Sequence, residues 1–404
     1  MVHTCCTQEA LKERIFDESE AVGAEYIRVD VELSAIFEEP DGSERDEPDW
    51  TRLDEVLELA RDHHLKVLGL LLGEPGDPAA FGRMAGEVAE HAEDTVRDWE
   101  ILNEPDAAWA FDGTPEQYAA MLSAAHDEIK PRVPDARIVF GGLQRPRDPA
   151  WLERVFATPG PDAIHKFDVA NVHLRGPVDL VVNRYREFRA WLGARGFKGP
   201  LWVTEHGYAA DPAYQTDPAF TGGDPAQAAY LTQSLVGLGE AGAEQVFVTL
   251  RDNLEGAYAT EGLVHIDDTP DAPATRRASF AAVRRVATDW DRLMAWRREQ
   301  RENERLVQLY ETLASVESNQ ARIARVKLLE GRGRLRAARA AFADARSARV
   351  KKRLLRRLAN ARALVAGRRA TLLWHRAYAI EQRARSAERS RAVDALKAQI
   401  AGTG

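Results

Sequence analysis

The chain has 404 residues, enough for two domains, and 45% of them are apolar, which supplies a sizeable core. It has no uninterrupted apolar run of about 18 residues, which argues against a membrane-spanning helix. The net charge of -9 joins two unlike parts: residues 291–404 hold 28 Lys/Arg and 11 Asp/Glu, and residues 1–290 hold 27 and 53. Opposite fields of +17 and -26 point to two domains. The opening MVHTCCTQEALKER lacks a basic start followed by an apolar block, so the expected location is cytoplasmic, with secretion open if a leader is missing. The two cysteines, Cys5 and Cys6, are adjacent; they form no disulfide framework and make a poor metal site.

Residues 1–288 alternate between two textures. VHTCC, then EYIRVDVEL, LKVLGLLLG, DWEILNE, ARIVFGG, FDVANVHL, LWVTEHGY and QVFVTLRDN read as eight strands. Helical patterns fall between them, such as LDEVLELARDHH, FGRMAGEVAEHAEDTV, EQYAAMLSAAHDEI, VVNRYREFRAWLGARG and AQAAYLTQSLVGLGEAG. ASFAAVRRVATDW closes the series as an eighth helix. Eight βα units of this length predict a (β/α)8 barrel. An open doubly wound sheet is disfavoured, because neither GxGxxG nor GxxxxGK[ST] occurs.

Residues 289–404 change character. They are rich in Arg, Ala and Leu, and no proline follows Pro273. Leu306, Leu309, Leu313, Val316 and Ile323 keep a three-four spacing, which predicts long helices in a hairpin or small bundle with a coiled-coil-like seam. EGRGR at 330–334 is expected to be a turn, and Gly367 a weaker one.

The chemistry is expected at the C-terminal strand ends, where barrels place it. Glu104 follows the fourth strand and is stopped by Pro105, with Asn103 beside it as donor and acceptor. Glu205 ends the seventh strand, so the two carboxylates face each other across the mouth. Such a pair suits glycoside hydrolysis, one group protonated to donate to the leaving oxygen and one ionised to attack the anomeric carbon. Arg28, expected at the end of the second strand, is the candidate that keeps Glu205 ionised. Against this stands the common alternative, in which a Glu at a strand end is a cap or an ion-pair partner.

WEILNEPD and LWVTEHGY resemble the acid/base and nucleophile signatures of the retaining glycoside hydrolases with a (β/α)8 barrel. EYIRVDVEL, TLRDN and EGLVHIDDTPDAP are similar to the family 39 xylosidase and iduronidase-like branch and to related cellulase-like barrels. The likeness runs from residue 1 to about 287. It implies Glu104 as general acid/base, Glu205 as nucleophile and Asn103 on the sugar 2-hydroxyl. It also implies His173, in NVHL, at the position that touches the nucleophile, and carboxyl groups about 5–5.5 Å apart. The chain departs from the pattern in three places. Val248 stands where an aromatic is common, the loop GEPGDPAAFG is short, and HLRG lacks the tyrosine often found near His173.

Trp109 and Tyr208 follow the two glutamates and are candidates to stack on a sugar face; packing between loops is the competing reading. Arg251, with Asp252 and Asn253, ends the eighth strand, either against substrate or as a loop brace. Trp99 and Trp202 lie within strands and read as packing. His173 lacks an H-x-H or HExxH context, so no metal is expected, and the hydrolysis needs no cofactor. The expected partner is a glycan or glycoside, with self-association or partner docking through the helical tail. An alternative is a lapsed barrel that binds carbohydrate or acts as a scaffold. A weaker one is a nucleic-acid-binding helical tail, disfavoured by its few aromatics.

Overall fold

The computed structural model describes residues 2–3, 9–74, 76–146, 149–252, 256–266, 274–343 and 348–401. Cys5, Cys6, Asn253 and the 267–273 part of EGLVHIDDTPDAP lie outside them. The chain divides into two compact units, Met1–Trp290 and Asp291–Gly404.

The first unit is a (β/α)8 barrel. Its strands are β1 (Val2–His3), β2 (Tyr26–Glu32), β3 (Lys66–Leu72), β4 (Val96–Asn103), β5 (Arg137–Gly142), β6 (Ala170–Leu174), β7 (Leu201–His206) and β8 (Val246–Val248). The helices between them are α1 (Glu9–Ala21), α2 (Leu33–Phe37), α3 (Thr51–Asp62), α4 (Pro78–His91), α5 (Pro115–Arg132), α6 (Pro149–Ala157), α7 (Val178–Ala194) and α8 (Asp224–Ala241). Parallel ladders run in order from β1 to β5 and from β6 to β8, and the bridges Val139–Val169 and Leu143–Val172 join β5 to the segment of β6. Local chemistry starts the helices where the barrel needs them. Asp77 caps α4 ahead of Pro78, and Thr114 and Gln117 form a capping box ahead of α5.

Two apolar layers result from the period-two alternation of the strands. On β2, Ile27, Val29 and Val31 face the helices within the main core, while Tyr26 and Arg28 face the axis. Leu68, Val139, Val169 and the fully buried Trp202 form a separate cluster that fills the barrel floor, with Tyr26 packed edge-on to Trp202. Trp99 belongs to the outer layer instead. Both tryptophans are packing residues, as their place within strands suggested. Above the floor the axis turns polar, with Arg28, Glu100, Asn171 and Thr204 buried there. A polar layer in a barrel interior must be fully paired, and its pairing defines the site.

Strand β8 is shorter than QVFVTLRDN suggested. Beyond it, Arg251 bridges to Val264, and Val264–His265 (β9) pairs antiparallel with Thr275–Arg276 (β10).

The expected eighth helix does not stop near residue 290. Ala278–Ala343 (α9) is one helix of 66 residues, with Phe280, Val283 and Val286 buried in the barrel core. In the second unit the remainder of α9 pairs antiparallel with Ala348–Ala401 (α10): Arg389 donates to Asn303, His375 bonds Glu317, and Arg368 reaches Lys327. The expected turn at 330–334 and the break at Gly367 are both helical. Gly331 lies buried inside the continuous helix, facing Val365 and Arg368 of α10. The seam also differs from the expected stripe. Ala321, Ala324, Leu328 and Leu372 form the buried cluster, while Leu309, Val316 and Ile323 are exposed. The buried seam thus mixes alanines and leucines at positions other than those of the expected stripe. Among the described residues, no helix is long and apolar enough to cross a membrane.

Candidate active site

The end of β4 is built to break its own alternation. Leu102 and Glu104 both take positive φ, 63° and 41°, on either side of Asn103. Residues with side chains rarely adopt this conformation, at a cost of about 1–3 kcal/mol each. The consequence is that Asn103 and Glu104, although adjacent, both line the same cavity. Strand β7 reaches the same end by a register shift. Val172 pairs with Val203 but His173 pairs with Glu205, so Thr204 and Glu205 are successive residues that both line the mouth.

Glu205 is held by two guanidinium groups. Arg28 Nη1 donates to Oε1 at 3.0 Å, and Arg175 Nη1 donates to Oε2 at 3.2 Å. Arg28 lies third in β2, not at its end, and reaches the mouth by the length of its side chain. It is buried and anchored by Glu100, with Nε and Nη2 donating to the two carboxylate oxygens at 2.8 and 2.9 Å; Nη2 also donates to Asn103 Oδ1 at 2.9 Å. Arg175 is anchored in the same manner by Glu261, at 2.9 and 3.1 Å. Burial pushes the Glu205 carboxyl up, but the neighbouring His173, Arg28 and Arg175 together outweigh it and hold it down at about 2.

Among the described residues Glu104 has no arginine partner. Its Oε1 lies 2.7 Å from His173 Nδ1, and its Oε2 is buried without a hydrogen-bond partner among the described residues. The other nitrogen of His173 lies 3.1 Å from Thr204 Oγ1. The hydrogen bond of His173 therefore goes to Glu104, whereas its distance to Glu205 Oε1 is 3.7 Å. His173 thus touches both carboxylates, with its hydrogen bond on Glu104 and the longer contact on Glu205.

The cavity of about 930 Å³ has Asn103, Glu104, Trp109, Arg175, Glu205, Arg251 and Glu261 in its wall. Trp109 is 70% exposed, so its ring stands open at the rim. Arg251 lines the cavity while its backbone is tied to Val264. Tyr208 does not line it. Its ring is buried and stacked 3.8 Å from that of Tyr230, and its hydroxyl donates to Phe220 O, so it packs a loop rather than facing a sugar.

Sequence reasoning passed over Glu100, Arg175 and Glu261. Glu100 carried a signal: a charge inside an apolar strand must be paired when that strand is buried. Arg175 carried a weaker one, as the first charge after β6. Glu261 carried none, because it belongs to the segment after β8 and meets Arg175 only in the folded barrel.

One ligand atom each from Glu104, His173 and Glu205 lies within 4.8 Å of the others, a spacing that a cation could bridge. The donor set does not fit one. Both oxygens of Glu205 already face guanidinium groups, and a further cation there would meet two positive charges.

Solved structures resemble this chain at the level of the fold. A family 39 glycoside hydrolase from the gut symbiont Bacteroides cellulosilyticus WH2 aligns with TM-score 0.54 and 16% identity over 71% of this chain and 62% of that one. A glucosidase from Croceicoccus marinus gives 0.52 and 17%, over 68% and 63%. The exo-β-1,4-mannosidase Op5Man5 from Opitutaceae bacterium strain TAV5 gives 0.51 and 18%, over 70% and 56%. The chain thus spans less than two thirds of each of these proteins. No protein-family model and no curated protein matches the chain.

Proposed function

We propose that this chain is a retaining glycoside hydrolase in which Glu205 is the nucleophile and Glu104 the general acid/base. The observation that carries the reading is the unlike environment of two carboxylates with oxygens within 4.8 Å in one cavity. The reading expects the retaining arrangement, with carboxyl groups about 5–5.5 Å apart.

In the first step a Glu205 oxygen bonds to the anomeric carbon as the glycosidic C–O bond breaks, and the leaving oxygen takes the proton of Glu104. The aglycone leaves as an alcohol, and the sugar remains as an ester of Glu205. In the second step Glu104 takes a proton from water, the hydroxyl bonds to the same carbon, and the ester bond breaks. Two inversions retain the configuration. Arg28 and Arg175 favour ionised Glu205 before attack and after release. The Asn103 amide, its oxygen committed to Arg28, presents its NH2 as donor for a sugar hydroxyl. Trp109 offers an aromatic face at the rim, and Arg251 a cationic group at the wall. The barrel carries the chemistry, and the helical unit Asp291–Gly404 is assigned no step in it.

Turnover of a panel of aryl glycosides tests the reading. Glu104→Gln and Glu205→Gln should each lower kcat/KM by about 100-fold or more, and NMR of the first-formed sugar should show the substrate's anomer. Variants that match the parent rate overturn the assigned roles. A parent that binds oligosaccharides without turnover makes the barrel a carbohydrate-binding module.

A further inference from the structure

The mechanism above uses Arg28 to hold one oxygen of Glu205. The second oxygen has its own apparatus, which the reaction does not by itself require. Arg175 Nη1 donates to Glu205 Oε2 at 3.2 Å, while its other nitrogens form a two-point pair with Glu261. Glu261 is in turn fixed by Thr249, whose hydroxyl donates to Oε2 at 2.9 Å. It is 4% exposed, although it belongs to the segment after β8. The end of β7 makes room for it: a Cβ on Gly207 would fall 2.3 Å from the Glu261 carboxyl carbon. The glycine two residues past the nucleophile is thus the space that the Glu261 carboxylate occupies.

We propose, resting on the glycosidase reading, that Arg175 and Glu261 are a positioning pair for Glu205, with Glu261 acting only through Arg175. A guanidinium carries five donors in a rigid fork, so holding two of them on Glu261 aims a third at a fixed point. That point is the oxygen of Glu205 left over by Arg28. The two arginines differ in setting. The Arg28 side chain is 2% exposed and the Arg175 side chain 30% exposed within the cavity wall. Arg28 is the buried anchor, and Arg175 holds the nucleophile on the substrate side. The pair sets both the orientation of Glu205 and the acid limit of its ionisation. Without Glu261, Arg175 keeps its charge but loses its aim.

Kinetics and carbon NMR of the full chain test this together. Arg175→Met should lower kcat by about 10- to 100-fold with a small change in KM, as for loss of a charge-assisted hydrogen bond. It should also move the acid limb of kcat/KM to higher pH, since one of the cations that holds Glu205 ionised is gone. Arg175→Lys should restore the acid limb but only part of kcat. Glu261→Gln should lower kcat by about tenfold, and Arg175→Met/Glu261→Gln should be no slower than Arg175→Met alone. The double variant also removes the buried unpaired carboxylate that Arg175→Met leaves, so it keeps the comparison open if the single variant folds poorly. Independently of turnover, the carboxyl-carbon resonance of Glu205, assigned with Glu205→Gln, should titrate at higher pH in Arg175→Met than in the parent. Additive losses in the double variant overturn the linkage through Arg175. An unmoved Glu205 titration overturns the pair itself, and it does so even if the parent hydrolyses no glycoside tested, the outcome that would count against the glycosidase reading instead.

Discussion

A Cβ on Gly142 would lie 2.0 Å from His173 Nε2, so the imidazole of His173 fills the space that a side chain at residue 142 would need. His173 is buried and bonded on both sides, to Glu104 and to Thr204, and cannot simply swing away. Gly142→Ala should therefore displace the ring from Glu104. The expected cost is about 1–3 kcal/mol of stability, as for overpacking of a filled site, together with loss of turnover. Adding His173→Ala relieves the overlap but strips the buried Glu104 carboxyl of its partner, so it should recover part of the stability and none of the activity. Urea unfolding of the two variants checks this.

Acid should destabilise the barrel in two separable windows. Burial holds the His206 imidazole down at about 4 from 6.5. The unfolded chain takes up that proton before the folded one does, so stability falls as pH drops from 6.5 towards 4. Glu205 is held down at about 2 from 4.5. Its contribution is present above pH 4.5 and is lost as pH falls from there towards 2. Urea midpoints measured against pH should show the upper slope flattened in His206→Gln and the lower slope flattened in Glu205→Gln. The opposite assignment of slopes would count against both readings.

Arg28 and Glu100 are a buried, two-point ion pair on the barrel axis. Arg28→Met leaves the Glu100 carboxylate without its cation where water does not reach. The expected loss is about 3–5 kcal/mol. In Arg28→Met/Glu100→Gln the uncompensated charge is gone, and more than half of the loss should return. Calorimetry of the two variants decides it; equal destabilisation would mean that the pair is not what Glu100 depends on.

In the helical unit, a Cβ added at Gly333 or at Gly367 would meet nothing within 4 Å, and both residues lie inside continuous helices. Replacing each with Ala should stabilise the unit by about 0.5–1 kcal/mol, because glycine loses more backbone freedom in a helix. Thermal melts followed at the helical circular-dichroism band check this. A turn at either position would instead make the substitution destabilising.

The barrel was legible because its information is local. Eight alternations between strand and helix texture, with stops such as Pro105, can be read without knowing what touches what. The two strand-end glutamates were legible for the same reason. The helical tail was read correctly as long helices, but its turns were misplaced. A single glycine costs a helix about 0.5–1 kcal/mol, which the Arg-, Ala- and Leu-rich flanks of α9 and α10 absorb. Likewise, the large apolar residues of α9 named a stripe, while the contact itself buries Ala321, Ala324 and Leu328 against Leu372.

By itself the sequence determined the alternating barrel, the acidic and basic halves, and the placing of Glu104 and Glu205 at strand ends, since each follows from neighbours along the chain. Only the tertiary structure decided what each carboxylate meets. Arg28 and Glu205 are 177 residues apart, and Arg175 and Glu261 are 86 apart. His173 came to lie between Glu104 and Glu205, and Tyr208 turned away from the cavity. Charge and hydrogen bonding act through space, and the distances that set them exist only once the strands have curled into a barrel.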